Sequence, residues 1–135
     1  MAKKFFTLDE ANALLPILRT ELEQLQNIKR QFEEKYYELL EMKEQRRTGA
    51  DESADPDPFF AQECELEFLQ IEAKGIIRSI HGKGAELKDI EEGLIDFPAI
   101  IDGKEVLLCW KKGEEKISHY HGIWDGFAGR RPIGE

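Results

Sequence analysis

The stretch GLIDFPAIIDGKEVLLCWKKGEEKISHYHGIWDGFAGRRPI, residues 93–133, decides the fold of this 135-residue chain. Short runs of β-branched and aromatic residues alternate in it with glycine-containing turns, which is the pattern of short β-strands. The runs cover residues 94–101, 105–110 and 117–121. We therefore expect a three-stranded antiparallel β-meander within residues 86–121, followed by a Gly-rich C-terminal strap over residues 122–135.

The first hairpin of this meander has a specific turn. Asp102 and Gly103 are a preferred pair for a two-residue type I′ turn, and such a turn fixes the register of the two strands. It pairs Ala99 with Val106, Phe97 with Leu108 and Ile95 with Trp110 on one apolar face, and Pro98 with Leu107 and Asp96 with Cys109 on the other. Asp96 is therefore not placed for the main core. Pro98 has no backbone N–H, so it predicts an edge strand or a local bulge.

The second hairpin allows two registers. A three-residue loop at residues 111–113, with Gly113 left-handed, places three side chains on the face of Asp96 and Cys109. These side chains are Ile117, His119 and His121. A two-residue loop at residues 113–114 turns both histidines to the apolar face instead, because a slip of one residue exchanges the two faces of a strand. Turn chemistry favours the first register, and the second stays open.

The N-terminal part of the chain predicts one long amphipathic helix over residues 7–47. Thr7, followed three residues later by Glu10, is a capping box that marks the start of a helix. Apolar residues then recur with the three-four spacing of a heptad seam. They are Ala11, Leu15, Leu18, Leu22, Leu25, Phe32, Tyr36 and Leu39. Pro16 removes one backbone hydrogen bond, so we expect a kink near it, or a short first helix followed by another.

A linker and a second helix follow. Residues 48–58, TGADESADPDP, have the composition of a flexible acidic linker. Residues 59–81 predict a helix with two apolar stripes, one at Leu66, Leu69, Ala73, Ile76 and Ile80 and the other at Ala61, Cys64, Phe68 and Ile71. Gly75 lies inside this helix and lowers its stability relative to alanine. A close crossing by another helix at this position would offset that loss.

These elements predict an α+β fold. A long antiparallel helical hairpin with coiled-coil-like geometry packs against the small C-terminal antiparallel β-meander, all in one domain of residues 1–135. The first helix is about 60 Å long and the second about 35 Å, so the first turns of the longer helix should meet the β-meander. We expect Phe32 and Phe68 to be buried.

The composition argues against several classes of function. The net charge is −9, and residues 48–75 hold eight acidic residues against Lys74. Such a chain repels a phosphate backbone, so we expect no nucleic-acid partner. It has no apolar run long enough to span a bilayer and no apolar signal segment, so we expect a cytoplasmic protein without membrane contact. Cys64 and Cys109 have no disulfide or metal-ligand spacing and should be reduced.

The candidate site residues lie in the β-meander. His119 and His121 form an HxH pair, which a strand presents on one side, as a divalent transition metal requires. Asp96 or Cys109 could add a third ligand, and Glu114 or His81 could act as a base. The candidate catalytic residues are therefore Asp96, Cys109, Glu114 and His121, and the candidate metal ligands are His119 and His121. The simpler interpretation needs no cofactor: the histidines are hydrogen-bonded surface or pocket residues, and Cys109 is a small buried side chain.

The segment GFAGRRPI, residues 126–133, offers a second candidate site. Arg130 and Arg131 could bind a carboxylate or phosphate through forked hydrogen bonds. The segment lacks the strand, glycine pattern and lysine of a P-loop. The alternative is a strap in which Phe127 and Ile133 pack while one arginine pairs with an acidic residue.

Several segments of the sequence resemble a known family. FTLDEANALLPILR (residues 6–19), LKDIEEGLIDFPA (87–99), DGKEVLLCW (102–110) and HGIWDGFAGRRPI (121–133) resemble a prokaryotic family catalogued as domain of unknown function 2203. The resemblance covers nearly the whole chain apart from the linker, and it implies no established activity, cofactor or partner. The family often has Trp where this chain has Tyr120, which implies that His121 is the matching histidine and that His119 is particular to this sequence.

Two hypotheses from different classes follow. The first is an uncharacterised small cytoplasmic protein that acts as a non-catalytic interaction module, most simply as a homo-oligomer, because the heptad seam is longer than its partner helix. The alternative is a small-ligand or metal-binding site, including a hydrolytic one, in the C-terminal β-meander. Whether the protein is an enzyme is left open.

Overall fold

The computed structural model describes residues 3–49 and 56–134. Helix α1 spans Leu8–Arg47 and helix α2 spans Phe60–Gly82. Five antiparallel strands follow, β1 Glu86–Asp89, β2 Leu94–Ile101, β3 Lys104–Lys111, β4 His119–Gly122 and β5 Arg131–Pro132, and they lie side by side in chain order. The predicted α+β class is therefore confirmed, with five strands in the meander instead of three. Most of the predicted acidic linker, residues 50–55, lies outside the described residues.

Helix α1 begins at the predicted cap. The backbone N–H of Glu10 donates to Thr7 Oγ1 at 3.1 Å, and the N–H of Thr7 donates to Glu10 Oε1 at 3.0 Å. Both bonds satisfy backbone groups that lack a partner inside the helix. The helix continues through Pro16 without interruption, so the alternative of two separate helices is wrong. The kink near Pro16 stays a prediction.

Ion pairs show the relative direction of the two helices. Lys35 of α1 lies 2.9 Å from Glu65 of α2, whereas Glu21, earlier in α1, lies 2.8 Å from Lys83, just after α2. Residue numbers therefore rise along α1 while they fall along α2, which is the antiparallel arrangement that the sequence predicts. The Lys35–Glu65 pair is exposed and contributes little stability, whereas the Lys83–Glu21 pair is partly buried.

The main core lies between the first turns of α1 and one face of the sheet. Phe6, Leu15, Leu18 and Leu22 pack with Ile80 and Ala85 and with the strand residues Ile95, Phe97, Leu108 and Trp110. The N–H of Phe6 donates to the carbonyl of Pro98 at 2.7 Å, and the rings of Phe6 and Phe97 meet edge to face. The expectation that the overhanging turns of the long helix meet the β-meander is confirmed.

The first hairpin has the predicted register throughout. Asp102 and Gly103 have φ angles of 51° and 76°, as a type I′ turn requires, and Asp96 lies opposite Cys109. Strand β1 pairs with Leu94, Ile95 and Asp96 only. Within residues 3–49 and 56–134, no strand lies on the outer side of the part of β2 that holds Pro98, which agrees with the predicted edge position.

The second hairpin corrects part of the sequence analysis. His119 lies opposite Cys109, and His121 lies opposite Leu107, so both histidines lie on the predicted face. A turn with left-handed Gly113 does form, because Glu114 N–H donates to the Lys111 carbonyl at 3.0 Å. The predicted three-residue loop is nevertheless wrong, since residues 112–118 connect the strands. Ile117 was predicted on the face of Asp96, but it lies in the main core and is 3% exposed.

Helix α2 corrects a second expectation. Its stripe with Leu69 and Ile80 is buried against the rest of the protein, but Phe68 is 68% exposed and Ile71 is 65% exposed. The predicted burial of Phe68 is therefore wrong. The close crossing predicted at Gly75 is also wrong within one chain, because a Cβ added there would meet no atom within 4 Å. Within the described residues, neither helix is long and apolar enough to cross a membrane.

Candidate functional site

Three buried side chains converge on the outer face of the sheet. Asp96 from β2, Cys109 from β3 and His121 from β4 are 2%, 1% and 4% exposed. Their ligand-type atoms all lie within 4.8 Å of one another, and they form the one such group found in residues 3–49 and 56–134. The neighbouring strands of the meander bring them together because paired residues of antiparallel strands point to the same face.

Hydrogen bonds orient the imidazole of His121. Its Nδ1 lies 2.9 Å from the carbonyl oxygen of Gly122, and its Nε2 lies 3.0 Å from Asp96 Oδ2. A carbonyl oxygen only accepts hydrogen bonds, so Nδ1 is the donor and carries a proton. Nε2 is thereby left to face the carboxylate, and the space between them must hold a proton or a cation. A backbone carbonyl that fixes the tautomer in this way is a common feature around metal-binding histidines.

Burial dominates the electrostatics of the other two groups. Burial raises the pKa of the Asp96 carboxyl, although the neighbouring His121 opposes that rise. Burial, with a contribution from the nearby Asp96 charge, raises the pKa of the Cys109 thiol to about 12. Without a cation the thiol therefore keeps its proton at neutral pH and is a poor nucleophile. A bound metal ion would reverse this preference, because it stabilises both anions.

A small cavity opens onto this cluster. It has a volume of ≈ 250 Å³, and beyond the three clustered residues it is lined by Lys88, Leu94, Leu107, Ile123, Asp125, Gly126 and Phe127. Larger clefts lie elsewhere, such as one of ≈ 440 Å³ between α1 and the turn at residues 90–92. We give the smaller cavity more weight, because the side chains that line the larger cleft are mostly charged and none of them belongs to the buried cluster.

Several residues that line this cavity were not predicted from the sequence. Asp125 lies at its wall, with its side chain packed against Gly122 and Gly129, where an added Cβ would come within 2.7 and 2.9 Å of it. The chain turns back here because Asp125 N–H donates to the Gly122 carbonyl at 3.0 Å. The sequence signal for this tight turn was the pair Gly122 and Gly129 on either side of Asp125 in HGIWDGFAG. Phe127 and Lys88 carried no comparable signal.

The other predicted site residues lie outside the cluster. His119 bonds through Nδ1 to Ser118 Oγ at 2.9 Å, and the metal-ligand group of the described residues does not include it. His81 Nε2 accepts from Leu87 N–H at 3.3 Å. Arg131 lies over the ring of Tyr120 on the opposite face, at 6.0 Å from its centre. The structure thus brings together three of the predicted catalytic candidates, and within the described residues His119 is not part of that group.

Arg130 and Glu114 form an ion pair beside the cluster. Arg130 Nη2 lies 3.0 Å from Glu114 Oε1 and donates to the Cys109 carbonyl at 3.3 Å. Burial alone would raise the pKa of Glu114, but the hydrogen bonds from Arg130 and from Lys111 N–H outweigh it and lower the pKa. The guanidinium also stacks on Phe127, 4.7 Å from the ring centre. This arrangement fits the strap interpretation of the C-terminal segment, in which an arginine pairs with an acidic residue.

The chain belongs to the family described as "Uncharacterized conserved protein (DUF2203)", whose model matches residues 4–133. This confirms the resemblance of its segments to that family. Neither the curated proteins nor the solved structures contain a match. Function is therefore inferred from the geometry of the chain itself.

Proposed function

We propose that this protein binds one divalent transition-metal ion through Asp96 Oδ2, Cys109 Sγ and His121 Nε2. The observation that supports the proposal is the convergence of three different ligand types, each almost fully buried, within 4.8 Å. Ligand atoms around tetrahedral zinc lie roughly 3.3–3.8 Å apart, so shifts of less than about 1 Å would complete the site. The metal would also replace the proton between His121 and Asp96.

Zinc fits this set of ligands best. Imidazole, thiolate and carboxylate are all normal zinc ligands, and a thiolate argues against magnesium or calcium, which prefer oxygen. Three protein ligands with a cavity beside them leave a fourth position for water or a small ligand. Asp125 lines that cavity and could accept a proton from such a water. The hydrolytic form of the proposal rests on this open position.

The test is metal binding by the full chain. Titration with Zn²⁺ and Co²⁺ should give one ion per chain, and excess metal should raise the melting temperature, since a ligand at 100 times its Kd stabilises by about 2.7 kcal/mol. Cobalt should show a thiolate charge-transfer band. Cys109→Ser should abolish this band, whereas Cys64→Ser, the matched control at the other cysteine, should keep it. Substoichiometric binding with unchanged melting would rule out the proposal.

A second candidate function is association with another protein chain, in a cytoplasmic setting. It is supported by several large apolar side chains exposed on the two helices. They are Tyr36, Tyr37 and Leu40 on α1 and Phe60, Phe68 and Ile71 on α2. The rings of Tyr36 and Tyr37 lie 6.0 Å apart, and contiguous exposed apolar surface is typical of interaction sites. Sedimentation tests the association proposal, and a strictly monomeric chain at tens of micromolar would count against it.

The cytoplasmic setting is supported by the two free thiols, which suit a reducing compartment.

A further inference from the structure

One face of α2 has heptad spacing and no partner element in the described chain. Its members, here called the outer stripe, are Ala61, Cys64, Phe68, Ile71, Gly75 and Arg78. Alternate steps of three and four residues keep them on one side of the helix, as in the seam of a coiled coil. Cys64 is half-buried and the others are exposed, with Phe68 at 68% and Ile71 at 65%. The stripe with Leu69 and Ile80 is the face that the protein buries.

The composition of the outer stripe suits contact with another helix. Two large apolar side chains, Phe68 and Ile71, lie at its centre, and the smaller residues Ala61 and Gly75 lie toward its ends. Glycine inside a helix is less favourable than alanine, and no atom of the described part of the chain lies within 4 Å of a Cβ built at Gly75. A helix from outside the chain could approach closely at this point.

The charges along α2 identify the occupant. Its first half carries Glu63, Glu65 and Glu67, of which Glu63 and Glu65 pair with Lys43 and Lys35 of α1 in the same chain. Its second half carries Lys74 and Arg78, with Glu72 between. A parallel copy would place the acidic halves against each other. An antiparallel copy instead places Glu67 of each helix near Lys74 of the other, which lowers the electrostatic energy. The complementary surface is therefore the same stripe on a second copy of this chain.

We propose that two copies form a symmetric dimer in which their α2 helices pack antiparallel through the outer stripe. The inference rests on the association proposal above and gives it a partner and a register. Phe68 of each copy packs beside Ile71 of the second copy, and Cys64 packs beside Gly75 of the second copy. In this register Glu67 of each copy lies near Lys74 of the other, on the flank where coiled coils form their ion pairs. The dimer would be isologous, as most homodimers are.

Disulfide trapping tests the register. Under mild oxidation Gly75→Cys should form a covalent dimer with native Cys64 of the second copy, because helices in contact bring such Cβ atoms within bonding range. Within one chain the substituted position 75 cannot pair with Cys64, since eleven residues of helix separate the two positions by about 16 Å. Gln70→Cys, exposed on α2 outside the stripe, is the matched control and should cross-link much less. Cys109 is 1% exposed and should not take part.

Sedimentation measures the same interface without a cross-link. Wild type should be a dimer at tens of micromolar, and Phe68→Glu should weaken the dimer by about 100-fold or more, because the change occurs twice in a symmetric interface. Phe68 is exposed, so the variant should keep the helical circular dichroism of the wild type. Glu67→Lys should weaken the dimer, and the double variant Glu67→Lys with Lys74→Glu should restore it.

The outcomes separate the register from association itself. A monomeric wild type would overturn both proposals. The outer-stripe dimer would be overturned if the wild type dimerises and Phe68→Glu dimerises equally well. It would also be overturned if Gly75→Cys cross-links no better than Gln70→Cys. Either result would leave association through another surface. Efficient Cys64–Cys64 cross-linking in the wild type would show a different register and would also overturn it.

Discussion

The side chain of Asn12 in the second turn of α1 accepts a hydrogen bond from the backbone N–H of Ile117, with 2.8 Å between Oδ1 and N. The guanidinium of Arg19 on the same helix donates to the carbonyls of Glu114 and Glu115. These contacts with α1 therefore fix the position of the segment before β4. As a result, Ile117 lies in the core and strand pairing begins at His119. The position of His121 in the candidate site depends in this way on a helix from the other end of the sequence.

Asn12→Ala should lower the free energy of unfolding by about 1–2 kcal/mol, because it leaves the N–H of buried Ile117 without its acceptor. Alanine is the better helix former, so an effect on the helix alone would have the opposite sign. Asn12→Asp keeps the acceptor and is the matched control. Urea denaturation measures both, and a more stable Asn12→Ala would contradict the assigned role.

Gly93→Ala should destabilise the protein by several kcal/mol. Gly93 has φ +76°, and an added Cβ would lie 2.7 Å from Lys112 Cβ and 3.0 Å from Leu22 Cδ2. Gly49 also has a left-handed φ, +80°, but an added Cβ there would meet no atom within 4 Å. Gly49→Ala should therefore show the backbone cost alone, about 1–2 kcal/mol. Equal losses in the two variants would mean that the close packing at Gly93 has no energetic effect.

Metal affinity should rise with pH. The pKa of Cys109 is raised to about 12, so the metal must displace a proton from the thiol at any pH below that value. Each proton released makes the apparent affinity rise about tenfold per pH unit, for example between about pH 6 and about pH 8. Burial also raises the pKa of Asp96, so a second proton steepens the slope in acid. Calorimetry in buffers of different ionisation enthalpy counts the protons, and an affinity independent of pH would exclude Cys109 as a ligand.

The two thiols should react at very different rates. Cys64 is half-buried, whereas Cys109 is 1% exposed and keeps its proton. At about pH 8 and low protein concentration, iodoacetamide should modify one thiol readily and the second only through unfolding. Mass spectrometry should locate the fast adduct on Cys64, and Cys64→Ser should remove it. Fast labelling of Cys109 in the folded protein would contradict the buried position of the candidate site.

Local turn chemistry made much of the sheet predictable. Asp-Gly is a residue pair that readily adopts the two positive φ angles of a type I′ turn, and such a turn fixes the register of its hairpin. Every pair of the first hairpin, including Asp96 with Cys109, therefore followed from the sequence. The sequence left two registers open for the second hairpin. The face of His121 agrees with the favoured one, because the observed pairing differs from it by an even number of residues, which preserves the faces of a strand. The length of the next connection did not follow, since it depends on contacts of Asn12 and Arg19 that no local pattern contains.

Burial on the helices was only half predictable. Two stripes of α2 have similar apolar residues, and periodicity alone does not distinguish a stripe that faces the same chain from one that faces outward. Leu69 belongs to the first kind and Phe68 to the second. In the site, the HxH pattern predicted His119 as a ligand beside His121. The ligand-type atoms that converge instead come from one residue on each of three strands. Asp125 was missed because its position depends on the fold of the chain after β4.

The uneven packing of α1 has a consequence for its motions. From Ala11 to Ile28 the helix contributes six buried side chains, whereas between residues 29 and 47 Leu39 is the buried one. Deuterium exchange should therefore be slowest in the first half of α1 and in β2 and β3, and faster in the second half, which can open without global unfolding. Docking of another chain on the outer stripe of α2 would slow exchange in α2 and leave the pocket amides unchanged.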